Sequence, residues 1–355
     1  MRLHSKIAIA AAAAAAMIAT TAAAFPAVPV DRSQPFPALT APALAARYAE
    51  DSRMIAQDAG AASRAGNQGL ARSLDGMRGE HFIDFNPAGQ GLAVEVTGNL
   101  AQARRVAVLV PGSDTTLATF DSRGTASPGG GAAALAQEAR ELDPGAHLAI
   151  IAWLGYAAPA TLSPGVMTSG DAGQGADALR PFVDDLARDG RQVALICHSY
   201  GSVVCGLAAP HLAVTDIAVV GSPGMDAASA GALDTPARVW AGRGTDDWIR
   251  YAPHVQFLGL GFGPDPMSPA FGARIFDAGS GGHSAYFRPG SVSVRNLAYI
   301  ALGDPGQVTQ VTGSVAAAGT TSTAAATTAT RAITATGATT STRITTAIRT
   351  IGGAR

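Results

Sequence analysis

The stretch "VALICHSYGSVVCG", residues 193–206, decides how this chain is read. The apolar run 193–197 reads as a buried strand, and the small residues after Tyr200 open a helical pattern. Between them, His198-Ser199-Tyr200-Gly201 nearly spell G-x-S-x-G, the sharp strand–turn–helix that lifts a serine hydroxyl above the end of a sheet. Cys197 stands where the first glycine is expected and is a small substitution there. A side chain at Gly201 would collide with the strand, and Ser202 and Gly206 let the helix lie close to the sheet. Ser199 is therefore the candidate nucleophile. The plainer alternative is a serine capping a helix in an ordinary turn.

Outward from this stretch, residues 81–304 alternate between strand-like and helix-like runs. "HFIDFNP" and "GLAVEVTG" read as a first hairpin. "RRVAVLVPG", "AHLAIIAWLGY", "RQVALICHS", "VTDIAVVGSPG" and "PARVWAGRG" are continuous apolar runs, as in strands buried on both faces. "GARIFDAGS" reads as the last strand. "GAAALAQEAREL", "GADALRPFVDDLARDG", "YGSVVCGLAAPHL" and "SVSVRNLAYIALG" are helical. The alternation predicts an α/β fold with a mostly parallel, doubly wound sheet and helices on both faces.

A serine hydroxyl is a poor nucleophile until a base takes its proton. In chains built on this turn, an acid and then a histidine follow the serine. "PARVWAGRGTDDWI" offers Asp246 and Asp247 after a predicted strand. Asp247, followed by Trp248 and the aliphatic Ile249, fits the usual arrangement better than Asp246, and Asp265 in "GPDPM" is a third candidate. Elimination among the seven histidines leaves one base. His4, His81 and His147 precede Ser199, His198 lies inside the turn, His211 ends the following helix, and His254 follows Asp247 too closely. His283, in the glycine-rich loop "SGGHSAYF" after the strand "GARIFDAG", can reach both Ser199 and Asp247. The backbone amides of Tyr200 and Ser113, the latter in "LVPGSDTT" beside Gly112, are the expected oxyanion donors.

The flanks read differently. "MRLHSK", "IAIAAAAAAAMIAT" and "TAAAF" form the basic, apolar and small-residue parts of an export signal, with cleavage expected near Ala24. An uncleaved N-terminal anchor is the alternative. No other run is long and apolar enough to span a bilayer, so no stable span is expected after cleavage. Residues 25–80 combine a proline-rich lead-in with a helical segment expected to pack on the main domain. Residues 305–355 are rich in Thr and Ala, lack the large apolar residues of a core, and are expected to be disordered, as a stalk or as an unselected extension.

Net charge −1 gives no electrostatic reason to expect nucleic acid. Cys197 and Cys205 either form a disulfide in an oxidising compartment or fill the strand–helix contact as buried thiols. No His/Cys cluster with ligand spacing suggests a metal, the chemistry calls for no cofactor, and nothing fixes an oligomeric state.

The motifs "VLVPGSDTTLATF", "AWLGYAAPA", "CHSYGSVVCG", "GSPG", "DDWIRYAPHV", "DPMSPAFGARIF" and "GGHSAYFRPGS" together resemble a family of α/β-hydrolases common in high-GC Gram-positive bacteria and long described as a domain of unknown function. The resemblance covers residues 80–304. It implies the α/β-hydrolase fold and a Ser199, Asp247, His283 triad, and it implies no substrate. The short connection between "DIAVVGS" and "ARVWAGR" leaves no room for a large cap domain. Any lid must come from "GYAAPATLSPGVMTSGDAGQG", from residues 248–272 or from residues 25–80. Trp153, Tyr156, Trp248, Tyr251 and Phe262 either line an apolar acyl site or belong to the core.

The expectation is an exported serine esterase, secreted or held at the cell envelope, acting on a small-molecule or lipid acyl substrate. An acyltransferase or peptidase would use the same triad, and a non-catalytic surface protein could use the same fold.

Overall fold

A computed structural model describes residues 35–121, 124–256 and 259–311. The expected export signal and nearly all of the Thr/Ala-rich tail lie outside them. The chain divides into two units, Met1–Gly313 and Ser314–Arg355, and the account below concerns the first.

Eight strands form one sheet: β1 Phe82–Asn86, β2 Leu92–Thr97, β3 Arg105–Val110, β4 Leu148–Leu154, β5 Gln192–His198, β6 Asp216–Val220, β7 Arg238–Gly242 and β8 Arg274–Ile275. Their spatial order is β1-β2-β4-β3-β5-β6-β7-β8. β1 and β2 form an antiparallel hairpin, and β2 also lies antiparallel to β4. From β4 to β8 every pairing is parallel. The parallel strands are apolar along their length because helices cover both faces. β5 is buried from Val193 to Cys197, and all of β6 is buried.

The helices are α1 Ala41–Arg64, α2 Gln68–Gly76, α3 Pro128–Leu142, α4 Gly170–Ala187, α5 Gly201–Ala208 and α6 Val292–Leu302. One core layer joins α4 and α5 to one face of the sheet through Leu179, Phe182, Val203 and Leu195. The opposite layer joins α3 and α6 through Leu135, Leu297, Ile196 and Trp240. Ile55 and Ala59 of α1 and Leu74 of α2 enter this second layer beside Phe82 and Phe85 of β1.

Three boundaries differ from expectation. "GARIFDAGS" forms only the two-residue strand β8, paired with Trp240 and Ala241 of β7. α5 stops at Ala208, two residues before Pro210, instead of running on through "APHL". Residues 305–311, assigned by composition to the tail, fold back beside β8. There the Val311 amide donates to Ile275 O at 3.0 Å, Phe276 pairs with Gln310, and Val308 is buried.

Candidate active site

The parallel register brings the carboxyl ends of β3, β5, β7 and β8 to one edge of the sheet, where ligand sites of open α/β sheets form. Ser199 follows β5 directly, at φ 53°. A non-glycine residue in this left-handed region costs on the order of 1–3 kcal/mol and persists only where its surroundings fix it. Here the Ser199 amide donates to Val220 O of β6 at 3.0 Å, and Ser199 O accepts from the Ser202 amide at 2.9 Å. A Cβ on Gly201 would strike the Val110 carbonyl and lie 2.6 Å from that of Pro111, so only glycine allows α5 to start this close to β3. Gly206 is also a point of close approach, against the Met225 carbonyl after β6 and not against the sheet.

Cys197 and Cys205 are bridged, with Cα atoms 6.5 Å apart. The residue in the first-glycine position thus ties β5 to α5 across the turn.

Ser199 Oγ lies 2.8 Å from Nε2 of His283, whose Nδ1 lies 2.9 and 3.0 Å from the two carboxylate oxygens of Asp247. With Nδ1–H donating to the carboxylate, Nε2 is left to accept the serine proton. Asp247 is fully buried, and its Oδ1 also accepts the Ile249 amide at 2.9 Å. Its Oδ2 takes a further hydrogen bond from the Tyr286 hydroxyl, which itself accepts the Gly244 amide at 3.3 Å. Burial alone would raise the carboxyl pKa, but the donors His283, Tyr286 and the Ile249 amide outweigh it and hold Asp247 below the usual carboxylate range.

The other two candidate acids lie outside this chain of hydrogen bonds. Asp246 is exposed, and Asp265 pairs with Arg243 at 2.7 Å and caps the Met267 amide at 2.9 Å.

Two residues that the sequence does not single out complete the arrangement. Tyr286, three positions after His283, holds Asp247 as described. His198 donates through Nε2 to the main-chain oxygen of His283 at 2.8 Å and so anchors the loop that carries it. Burial, reinforced by the nearby His283, drives the His198 pKa down to about 4 and keeps its ring neutral. The sequence signal for both is only their adjacency to Ser199 and His283.

The loop after β3 brings Ser113 beside the nucleophile. A Cβ on Gly112 would come within 2.7 Å of Ser199 Cβ. No backbone carbonyl among the described residues accepts the Ser113 or Tyr200 amide. The loop is braced by Tyr156, whose hydroxyl donates to Pro111 O at 2.8 Å, and by Asp114, whose carboxylate accepts the amide and hydroxyl of Thr161 at 2.9 and 2.6 Å.

A cavity of about 540 Å³ opens over Ser199. Val166, Met167, Trp248, Ile249, Phe262 and Phe287 supply its apolar wall, and among the described residues Asp114 is the one carboxylate on it. Phe262 and Trp248 are therefore pocket residues, whereas Trp153 and Tyr156 are buried in the core and Tyr251 is exposed beyond the lining. Among the segments able to form a lid, 155–175 and 248–272 contribute lining residues, and residues 35–80 contribute none. Among the described residues no group of three or more His, Cys, Asp or Glu is placed to hold a metal ion, and no helix is long and apolar enough to cross a membrane.

The sheet order, the turn at Ser199 and the position of His283 after the last strand define an α/β-hydrolase fold without a large cap domain among the described residues. Residues 86–257 match the model of a family described as alpha/beta hydrolase. Two curated relatives, uncharacterized proteins from two strains of Mycobacterium tuberculosis, are each 31% identical over 61% of this chain. The match spans 37% of their length, so this chain corresponds to little more than a third of those proteins. Solved structures with similarity include a predicted hydrolase from Thermoplasma acidophilum (14% identity, 63% of this chain, 95% of that one, TM-score 0.39). A serine hydrolase without a lid from Xanthomonas campestris is another (15% identity, 63% and 94% coverage, TM-score 0.36).

Proposed function

We propose that this chain is an exported serine hydrolase that cleaves carboxylic esters through an acyl-enzyme on Ser199. The observation that carries the reading is the continuous hydrogen-bonded path Ser199 Oγ, His283, Asp247, with the serine raised on a left-handed turn into an apolar cavity. His283 Nε2 takes the proton as Ser199 Oγ attacks the ester carbonyl carbon. The carbonyl oxygen becomes an oxyanion that the Ser113 and Tyr200 amides stabilise. His283 then gives the proton to the departing alcohol, leaving Ser199 acylated. Water, deprotonated by the same imidazole, attacks the acyl carbon and releases the acid and the free serine. Asp247 orients His283 and balances the imidazolium that forms in each half-reaction.

The cavity wall favours an uncharged acyl group. Among the described residues it presents no Lys, Arg or Glu, and the Asp114 carboxylate is already engaged by Thr161. The N-terminal leader and the Cys197–Cys205 bridge support export to an oxidising compartment.

Treatment with a fluorophosphonate probe tests the nucleophile. The expected outcome is covalent labelling of the wild type and none of Ser199→Ala. An unlabelled, folded wild type would overturn the proposal. A p-nitrophenyl ester series of increasing chain length then reads out the acyl preference of the cavity.

A further inference from the structure

Exposed large apolar side chains are scattered singly over most protein surfaces. Here they are not scattered. Of the seven among the described residues, six are Leu162, Met167, Trp248, Tyr251, Val255 and Leu260, and only Val311 lies elsewhere in the chain. All six belong to the two segments that border the mouth of the Ser199 cavity. Met167 and Trp248 line the cavity themselves, while Leu162, Tyr251 and Leu260 each adjoin a lining residue, Thr161, Ala252 and Gly261 respectively. The two segments are fastened together where the Gly261 amide donates to Met167 O at 3.0 Å. The result is an apolar rim continuous with an apolar cavity.

We infer that this rim seats on a neutral or zwitterionic lipid surface, from which the ester's acyl chain passes into the cavity without crossing water. The inference rests on the ester-hydrolase reading above and narrows its substrate to esters resident in lipid. Three observations choose this occupant. The rim borders an opening, so a second copy of the chain seated on it would cover the way to Ser199. The charges beside it are of mixed sign, with Arg250 and Asp246 both exposed, and the chain carries net charge −1, so no basic patch selects anionic lipid. The rim also includes Trp248 and Tyr251, side chains whose apolar body and polar tip suit the boundary between water and hydrocarbon.

The chain carries its own reporter. Of its three tryptophans, Trp153 and Trp240 are buried and only Trp248 is exposed, so a blue shift of fluorescence on binding reports the rim. The experiment uses full-chain Ser199→Ala with phosphatidylcholine vesicles, in parallel with a triple variant, Leu162→Ser, Tyr251→Ser and Val255→Ser, that alters no cavity-lining residue.

The expected result is co-sedimentation with a blue-shifted Trp248, weakened at least tenfold in the triple variant. In the Ser199-intact background, the same three changes leave hydrolysis of soluble p-nitrophenyl acetate unchanged and slow that of p-nitrophenyl octanoate carried in the vesicles. Binding without a Trp248 shift, or binding that survives the triple variant, arises elsewhere in the chain and overturns the inference. A two-chain mass in lipid-free buffer that reverts to one chain in the variant assigns the face to self-association and also overturns it. Ester turnover in solution without vesicle binding removes the docking surface alone. Vesicle binding through Trp248 by a wild type that takes no fluorophosphonate removes the hydrolase reading and leaves the docking surface standing.

Discussion

Asp247 and Asp51 are both completely buried, one at the carboxyl edge of the sheet and the other on the inner side of α1, and their surroundings treat them in opposite ways. Asp247 accepts hydrogen bonds from His283, Tyr286 and the Ile249 amide, and its carboxyl is held ionised. Neither carboxylate oxygen of Asp51 has a hydrogen-bond partner among the described residues. Burial, with Asp84 and Glu50 adding to it and Arg47 offsetting only part, pushes the Asp51 pKa up to about 7. Glu95 on β2 behaves likewise, pushed up to about 8 by burial first and then by Glu80 and Asp121. Burial therefore does not decide the charge of a carboxyl group; the donors aimed at it do. The proposed catalytic corner surrounds its acid with donors, whereas the N-terminal helical face only packs over its own and raises its pKa.

The sharpest way to break the contrast is to neutralise each acid in turn. Asp247→Asn is expected to lower kcat on a soluble p-nitrophenyl ester by ~10⁴-fold, the scale seen when a triad acid can no longer hold the histidine tautomer. Asp51→Asn in the same assay is expected to leave kcat within about twofold, because its neutral side chain resembles the protonated acid it replaces. A large kcat loss in Asp51→Asn would put both carboxyls in one functional unit and dissolve the comparison.

A subtler change removes one donor. Tyr286→Phe keeps the ring in place but takes a charge-assisted hydrogen bond from Asp247, a contact worth about 1.5–3 kcal/mol. A fall of roughly ten- to a hundredfold in kcat/KM is expected on that scale. The Asp247 pKa should also move back toward its ordinary range. A carboxyl with a depressed folded pKa contributes stability above its unfolded pKa and loses it as pH falls through the folded value. Urea unfolding of Tyr286→Phe should therefore show a smaller acid-side loss of stability, complete at a higher pH than in the wild type.

A further effect concerns Asp51 alone, and its sign is reversed. Its folded pKa, about 7, lies above the ordinary value of 3.8, so the folded state binds more protons across that interval and stability declines as pH rises through it. Asp51→Asn should match the wild type near pH 4 and exceed it at pH 8, measured as unfolding midpoints at both. Equal midpoints at pH 8 would show that Asp51 ionises without cost inside the fold.

The same contrast shows how much the sequence makes legible. The strand alternation, the turn at Ser199 and the order of Asp247 and His283 are local patterns, and the structure brings those three side chains into one hydrogen-bonded path. Choosing Asp247 over Asp246 was a matter of one position, and burial separates them. The partners of that path are not local. Tyr286 meets Asp247 across 39 positions and His198 meets the His283 backbone across 85, so neither contact leaves a periodic trace. Asp51 lies on a helix whose apolar stripe is weak, and nothing in its neighbours marks it as buried. The role of Tyr156 as a brace for the Pro111 carbonyl was likewise hidden, because a tyrosine after an apolar strand reads equally well as core or as pocket wall.

The Cys197–Cys205 bridge has a consequence for how this region opens. One of its ends lies in β5, flanked by β3 and β6 in the middle of the sheet, and the other in α5, so Ser199 sits inside a covalent ring. In the bridged chain α5 cannot lift away from its strand on its own. Its amides should then exchange with solvent deuterium only as fast as the sheet itself comes apart. Once reduced, the helix is free to fray as a separate unit, and exchange over 201–208 should accelerate while that of β5 stays slow. Reductant would thus let the ground beneath the serine breathe independently of the sheet.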